Sequence, residues 1–199
     1  MLWVLLSLCT AFFESLKDVF SKKGLQNIDE YVVTWSASFF SCVFLLPLLF
    51  YIEIPVLGDN FWPALLVSGS LNATAVLLFM KAIKQSDLSI TLPMITFTPL
   101  FLLLTSPLIV GEFPSLLGLV GVLLIVLGSY ALNIKERRTG YLAPFRALLR
   151  ERGPKLMLLV ALLWSVTSNF DKIGVQNSSP FFWVVSIAAF ITVVMLPVM

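Results

Sequence analysis

Seven runs of apolar residues, each about 20 residues long, dominate the chain and restrict its fold. A helix needs about 20 residues to cross a bilayer core of about 30 Å, and an open strand there would leave its amides unpaired. Hydrophobic residues make up 59% of the 199-residue chain and charged residues only 12%, which is unlike a soluble domain. The sequence therefore predicts an all-α polytopic membrane protein, a helical bundle of about seven transmembrane helices. The predicted spans are Leu2–Ser21, Tyr31–Tyr51, Phe61–Ile83, Leu88–Val110, Ser115–Ile134, Leu156–Ile173 and Pro180–Met199.

The composition excludes several classes of function. A net charge of +2, with no basic face, does not indicate a nucleic-acid partner. The chain has no histidine, and Cys9 and Cys42 lie in apolar runs without CxxC spacing, so neither a metal nor another cofactor is predicted. No GxSxG motif and no nucleophile–base pair is present, and the sequence does not predict an enzyme. The predicted partners are the lipid bilayer and a small-molecule substrate.

The basic residues indicate how the chain is oriented. Lys22 and Lys23 follow the first span, Lys81 and Lys84 close the third, and seven Lys and Arg residues follow the fifth. The second and fourth connections carry no positive charge. By the positive-inside rule, the first, third and fifth connections face the cytoplasm across the cell (inner) membrane, and the amino terminus lies outside.

The fifth connection, residues 135–154, is the one predicted to be long enough to fold by itself. Within it, Tyr141–Arg152 places its apolar residues near one helical face and its arginines elsewhere. One interpretation is an amphipathic helix on the anionic inner leaflet, and the other is a solvated, charged linker.

An internal repeat appears when the chain is shifted by 150 residues. Five spans separate the two copies, and an odd number means that the second copy enters the membrane from the opposite side. The sequence thus predicts a five-span inverted repeat, the arrangement of many secondary transporters, with the second repeat incomplete. The predicted division is a first repeat at 1–134, a basic linker at 135–154 and the start of a second repeat at 155–199. The identical pairs are 6/156, 8/158, 11/161, 15/165, 20/170, 22/172, 24/174, 26/176, 27/177, 36/186, 40/190, 43/193, 46/196 and 47/197.

Charged residues in the first span are the leading site candidates, because a charge inside a span is costly and usually faces protein or water. Glu14 is interpreted as a membrane-embedded carboxylate that exchanges a proton or binds a cationic substrate, with Asp18 beside it. Lys17 and Lys22 lie three and four residues from these acids and are positioning or ion-pair candidates. The alternative is a neutral ladder of ion pairs that only orients the helix.

Polar residues and prolines mark the third and fourth spans. Asn72 is a candidate for substrate contact or for hydrogen bonding between helices. Lys81 is a positioning or ion-pair candidate, or its ammonium simply reaches the membrane surface. Pro93 and Pro99 each remove a helical hydrogen bond, so the fourth span is predicted to bend, and Thr96 with the freed carbonyls can line a site. A kinked helix packed tightly against its neighbours would explain the prolines equally well.

The segment from Asn72 to Leu132 resembles the third-to-fifth-span region of EamA-type proteins in the drug/metabolite transporter superfamily. The matching features are Ala82–Ile83, the prolines of span four, Gly111–Glu112 and a glycine-rich fifth span. In the second copy, Leu163–Trp164–Ser165 followed by Lys172 is similar to the opening span of the family.

This resemblance implies a secondary transporter of small metabolites or drugs that works by alternating access. Glu14 with Lys22 is similar to the small multidrug resistance branch, whose first-span glutamate binds protons and cationic drugs, which implies proton coupling through Glu14. Trp164, Asn169 and Lys172 are the candidates in the second copy. The alternatives are a non-transporting membrane subunit or homodimer that uses the glycine-rich fifth span, or an inactive fragment of a ten-helix transporter.

Overall fold

The computed structural model describes residues 2–51, 53–132 and 151–198, and every regular element in these ranges is helical. The helical bundle predicted from the sequence is confirmed. Residues 133–150 lie outside the described residues, and so does most of the predicted amphipathic helix. The α-helices are α1 (Leu2–Gly24), α2 (Glu30–Leu45), α3 (Phe61–Gln85), α4 (Leu88–Thr91), α5 (Thr98–Ile109), α6 (Leu116–Leu132), α7 (Arg152–Gln176) and α8 (Pro180–Met195), with 3₁₀ turns at Leu46–Phe50, Leu92–Phe97 and Leu196–Val198.

Four helical segments of the described chain are long and apolar enough to cross a bilayer. They are Glu30–Phe50, Phe61–Gln85, Leu88–Ile109 and Arg152–Gln176. Two further apolar helices, Leu116–Ile125 and Pro180–Met195, are shorter. The first predicted span forms α1, which has 23 residues but carries charged side chains throughout its second half.

The fourth segment is not one continuous α-helix. It divides into α4, a 3₁₀ turn and α5, and Pro93 lies in the first turn of the 3₁₀ element. Pro99 lies in the first turn of α5, where a missing amide hydrogen breaks no helical bond. The structure therefore places the interruption of this segment between the two prolines.

The core of the described bundle is the contact between α3 and α7, the most extensive packing between any two of the described helices. The buried side of α3 repeats at helical spacing from Phe61 through Ala64, Ser68 and Ala75 to Ala82. The small side chains of Ala64, Ser68, Ala75 and Ala82 let the two backbones approach closely. Met157, Val160 and Ala161 of α7 are fully buried.

The two copies of the repeat form matching structures. Both α2 and α8 are 16 residues long, and each begins 150 residues from the other and ends in a 3₁₀ turn that contains a proline. Asp29 caps the start of α2 and Ser179 caps the start of α8, again at the same offset. Since caps and turns recur together with the side chains, the similarity lies in structure as well as in sequence.

Contacts at the two ends of α3 show that the copies point in opposite directions. Near Phe61, the amide of Gly58 donates a 2.9 Å hydrogen bond to the carbonyl of Asn177, from the second copy. At the other end, the Nζ atom of Lys22, from the first copy, donates to the carbonyls of Ile83 and Ser86. A helix of 25 residues is about 37 Å long, so equivalent ends of the two copies lie on opposite sides of the bundle.

Lys22 closes the end of α3, and we expect its removal to destabilise the fold. Its ammonium satisfies carbonyls that have no helical partner and lies where the helix dipole favours a cation. Lys22→Met should lower the free energy of unfolding by about 1.5–3 kcal/mol, the usual range for a hydrogen bond to a charged group. Thermal unfolding in detergent, followed by circular dichroism, measures this. Lys23→Met is the matched control, because Lys23 is exposed; equal unfolding midpoints for the two variants would contradict the role of Lys22.

Helix α6 lies at the edge of the described bundle. It packs against α5 and against the 3₁₀ turn Leu92–Phe97, and most of its described leucines are exposed. A Cβ atom added at Gly121 or Gly128 would meet nothing within 4 Å. The homodimer through this helix stays a prediction.

Candidate functional site

A cavity of about 520 Å³ lies between α2 and α8, the matching helices of the two copies. Helices α3 and α7 form its base, and α1 contributes one side chain. Most of the lining side chains are apolar, and two are charged. The lining residues are Lys17, Ala37, Ser38, Ser41, Leu45, Val76, Met80, Asp171, Trp183, Val184, Ile187, Ala188 and Ile191.

Asp171 is the carboxylate of this cavity, and neutral donors hold it. Its Oδ1 atom accepts a 2.5 Å hydrogen bond from the hydroxyl of Ser68 and a 3.2 Å bond from the indole Nε1 of Trp183. Asn72 donates to the Ser68 hydroxyl over 3.2 Å and so extends the network along α3. The carboxylate belongs to α7, and hydrogen bonds from α3 and α8 hold it in place.

The sequence of the turn between α7 and α8 explains how Trp183 reaches Asp171. Ser179 caps α8 and Pro180 occupies its first turn, so the helix starts immediately after α7 ends. The ring of Trp183 then lies directly on Gly174, where an added Cβ would come within 2.1 Å of the ring. At the equivalent pair of the first copy, a Cβ added at Gly24 would lie 3.9 Å from the side chain of Val33, at ordinary contact distance.

The four candidates of the first span lie in different surroundings. Glu14 forms an ion pair with Lys17, and both side chains are about half exposed. Lys17 also lines the cavity, whereas Glu14 does not. Asp18 does not pair with Lys22, which binds the end of α3 instead, and its Oδ1 atom is buried without a partner among the described residues. Of the two ion pairs expected on this helix, Glu14–Lys17 is formed and Asp18–Lys22 is not.

The candidates of the third and fourth spans lie outside the cavity lining. Lys81 donates a 2.8 Å hydrogen bond to the hydroxyl of Tyr31 and lies over its ring, so it joins α3 to α2. Thr96 donates to the carbonyl of Pro93 within the 3₁₀ turn. Asn72 reaches the site indirectly, through Ser68.

The candidates of the second copy also have contacts elsewhere in the bundle. Trp164 packs against Phe79, with ring centroids 5.7 Å apart. Asn169 is buried and donates to the carbonyl of Ser165 and the hydroxyl of Thr105, which joins α7 to α5. Lys172 forms an ion pair with Glu112, at the end of α5.

Asp171 was not among the residues singled out from the sequence. A signal was available, because Asp171 is a charged residue inside the predicted span Leu156–Ile173, where charges are costly. Its neighbour Lys172 matches Lys22 in the repeat, but the equivalent of Asp171 in the first copy is Ser21, so the repeat itself does not point to Asp171. Within the described residues, no cluster of three or more His, Cys, Asp or Glu side chains is placed to hold a metal.

The comparison with known families decides what kind of protein this is. The model of the EamA-like transporter family matches residues 1–134, more than half of the chain. The chain belongs to this family. This EamA-like chain is thus a multi-pass membrane protein of the drug/metabolite transporter type. No curated protein and no solved structure matches it.

The family match covers only some of the residues that form the cavity of this EamA-like chain. The matched region contains α1, α2 and α3, which supply Lys17, the serines of the wall and Ser68. Asp171 and Trp183 come from α7 and α8, beyond the matched region. The cavity is therefore built jointly by the region that defines the family and by the second copy of the repeat.

Proposed function

We propose that this chain is a secondary carrier that moves a small solute across the membrane by alternating access. The observation that carries the proposal is the cavity between α2 and α8, because each of the two related helices supplies one of its walls. Inverted-repeat carriers bind their solutes at such an interface between repeats. The volume of about 520 Å³ lies within the usual range for small-molecule sites.

The packing supports a division between fixed and moving helices. The α3–α7 contact is extensive and buried, so it serves as the fixed support. Helices α2 and α8 flank the cavity, and a change in their relative tilt opens it to one side of the membrane or to the other. Lipid covers their outward faces, where residues such as Phe44 and Val193 are exposed.

Glu14 is the proposed coupling group, and it acts through Lys17. The Glu14–Lys17 ion pair connects a carboxylate outside the cavity to an ammonium that lines it. A proton on Glu14 removes the counter-charge of Lys17, so the charge of Lys17 then offsets the negative charge of Asp171 in the cavity. Proton binding and solute binding are then linked by electrostatics without direct contact.

We place the chain in the cell (inner) membrane, with the Gln85 end of α3 and the basic central segment in the cytoplasm. The basic residues Lys22, Lys84 and Arg152 lie together around a pocket at this end, with Asp87 and Glu151. Such a concentration of cations favours the cytoplasmic side.

Cysteine accessibility tests alternating access without knowledge of the solute. In a chain with Cys9 and Cys42 replaced by serine, Ala188→Cys places a thiol on the cavity wall. We expect a membrane-impermeant maleimide to label this thiol both in right-side-out and in inside-out vesicles. Leu123→Cys, on the exposed face of α6, should be labelled in neither. Labelling of residue 188 from one side alone would contradict the proposed function.

A further inference from the structure

We propose that the cavity selects small amphipathic amines, with the carboxylate of Asp171 as their counter-charge. This inference rests on the proposed function, since it assigns a chemical class to the solute of the same cavity. It follows from three features of the site: an uncompensated carboxylate, a lysine that is already paired, and an apolar wall.

The negative charge of Asp171 has no cationic partner in the described part of the chain. Its two hydrogen-bond donors, Ser68 and Trp183, are neutral, and both donate to the same oxygen. The second oxygen, Oδ2, accepts no hydrogen bond from any described residue. An ionised carboxylate in a largely apolar site is costly unless it is paired. A ligand cation supplies the missing charge.

Lys17 does not supply that charge. It lines the same cavity, yet its ammonium is bound to the carboxylate of Glu14. The pair is neutral as a whole, so Asp171 determines the net charge that a ligand meets. A solute carboxylate at Lys17 would meet a charge that Glu14 already offsets, and it would also approach the negative charge of Asp171.

The rest of the wall is suited to an apolar body. Trp183, Ile187 and Ile191 of α8 line the cavity together with Leu45 of α2 and Met80 of α3. The hydroxyl of Ser38, also on the wall, donates to the carbonyl of Thr34 in its own helix. The site thus combines one negative charge with a mainly apolar surface, which matches a small solute that carries one amine on an aromatic or aliphatic body.

Three ligands with the same indole ring test this selectivity. Tryptamine is cationic, tryptophol is neutral and indole-3-acetate is anionic. Binding of the radiolabelled compounds to the purified 199-residue chain in a neutral detergent gives their affinities without any need for transport. We expect tryptamine to bind at least about tenfold more tightly than tryptophol, and indole-3-acetate to bind most weakly.

Variants locate the effect at Asp171. Asp171→Asn keeps the shape and an acceptor for both donors, and should weaken tryptamine binding by about 10- to 100-fold while tryptophol binding stays within about twofold. Ser68→Ala is the matched control, because it removes one donor and keeps the charge, so the order of the three ligands should persist. Ala188→Trp fills the cavity and should abolish binding of all three.

Two results would overturn the proposal: similar affinities of the unmodified chain for the three ligands, or an unchanged preference for tryptamine in Asp171→Asn. The first requires no variant, so the proposal remains testable if Asp171→Asn fails to fold. The outcome is also distinct from that of the labelling experiment. One-sided labelling of residue 188 would contradict transport and leave the ligand preference in place, whereas equal affinities would contradict the amine selectivity and leave alternating access in place.

Discussion

Glu14→Gln is expected to reduce proton-driven uptake by vesicles that contain the chain to the level of protein-free vesicles. The suitable probe is N,N,N-trimethyltryptammonium, whose permanent charge prevents passive accumulation in acidic vesicles. With an acidic interior and an alkaline exterior, the unmodified chain should accumulate the labelled probe in exchange for protons. The initial rate of uptake, with and without the pH gradient, is the measurement.

The expected loss follows from the position of Glu14 beside Lys17. Glutamine resembles a permanently protonated Glu14, so the ammonium of Lys17 keeps no counter-charge at the cavity. The variant should therefore bind tryptamine more weakly than the unmodified chain. Adding Lys17→Gln removes the unpaired cation, and the double variant should regain tryptamine binding without regaining proton-driven uptake.

Glu53→Gln is the matched control for this experiment. Glu53 is exposed in the segment between α2 and α3 and does not line the cavity. Its replacement changes the net charge by the same amount as that of Glu14 and should leave uptake unchanged. Proton-driven uptake that persists in Glu14→Gln would contradict the coupling role of Glu14, but it would not contradict the proposed selectivity of the cavity for amines.

Gly174→Ala should be among the most destabilising single-methyl additions in the chain. The new Cβ would lie 2.1 Å from a ring carbon of Trp183, a side chain that is only 3% exposed. The ring must move, and its hydrogen bond to Asp171 is lost with it. Overpacking of this kind costs about 1–3 kcal/mol, and the lost bond adds about 0.5–1.5 kcal/mol.

Gly121→Ala serves as the control for Gly174→Ala, because nothing lies within 4 Å of a Cβ added at this position of α6. Alanine favours a helix over glycine by up to about 1 kcal/mol, so this variant should be neutral or slightly stabilised. Unfolding midpoints in detergent compare the two. If Gly174→Ala were as stable as Gly121→Ala, the packing of the Trp183 ring would not require the absence of a side chain at residue 174.

The sequence predicts the start of a helix well where an apolar run follows polar or capping residues. The predicted third span begins at Phe61, as α3 does, and the last begins at Pro180, as α8 does. The fourth span was harder to predict, because Pro93 removes a hydrogen bond without determining whether the helix kinks or changes to a 3₁₀ turn. That choice depends on the packing of the turn against α7 and α6.

The site was harder to predict than the helices, since it depends on contacts between distant segments. Ser68 and Asp171 are 103 residues apart, and no local pattern pairs them. Lys22 shows the same difficulty: Asp18 is four residues away on the same helix, yet Lys22 binds carbonyls more than 60 residues away. Spacing along a helix shows which partners are within reach, and the fold decides which of them is used.

The packing of α3 against α7 has a consequence for how a duplicated gene could have produced this fold. The third helix of one copy lies against the first helix of the other, so the copies are interleaved and do not sit side by side. A single ancestral copy would have left Ser68 without its acceptor and the small-residue side of α3 uncovered. A single copy with this packing would cover these groups only by pairing with a second molecule inserted upside down.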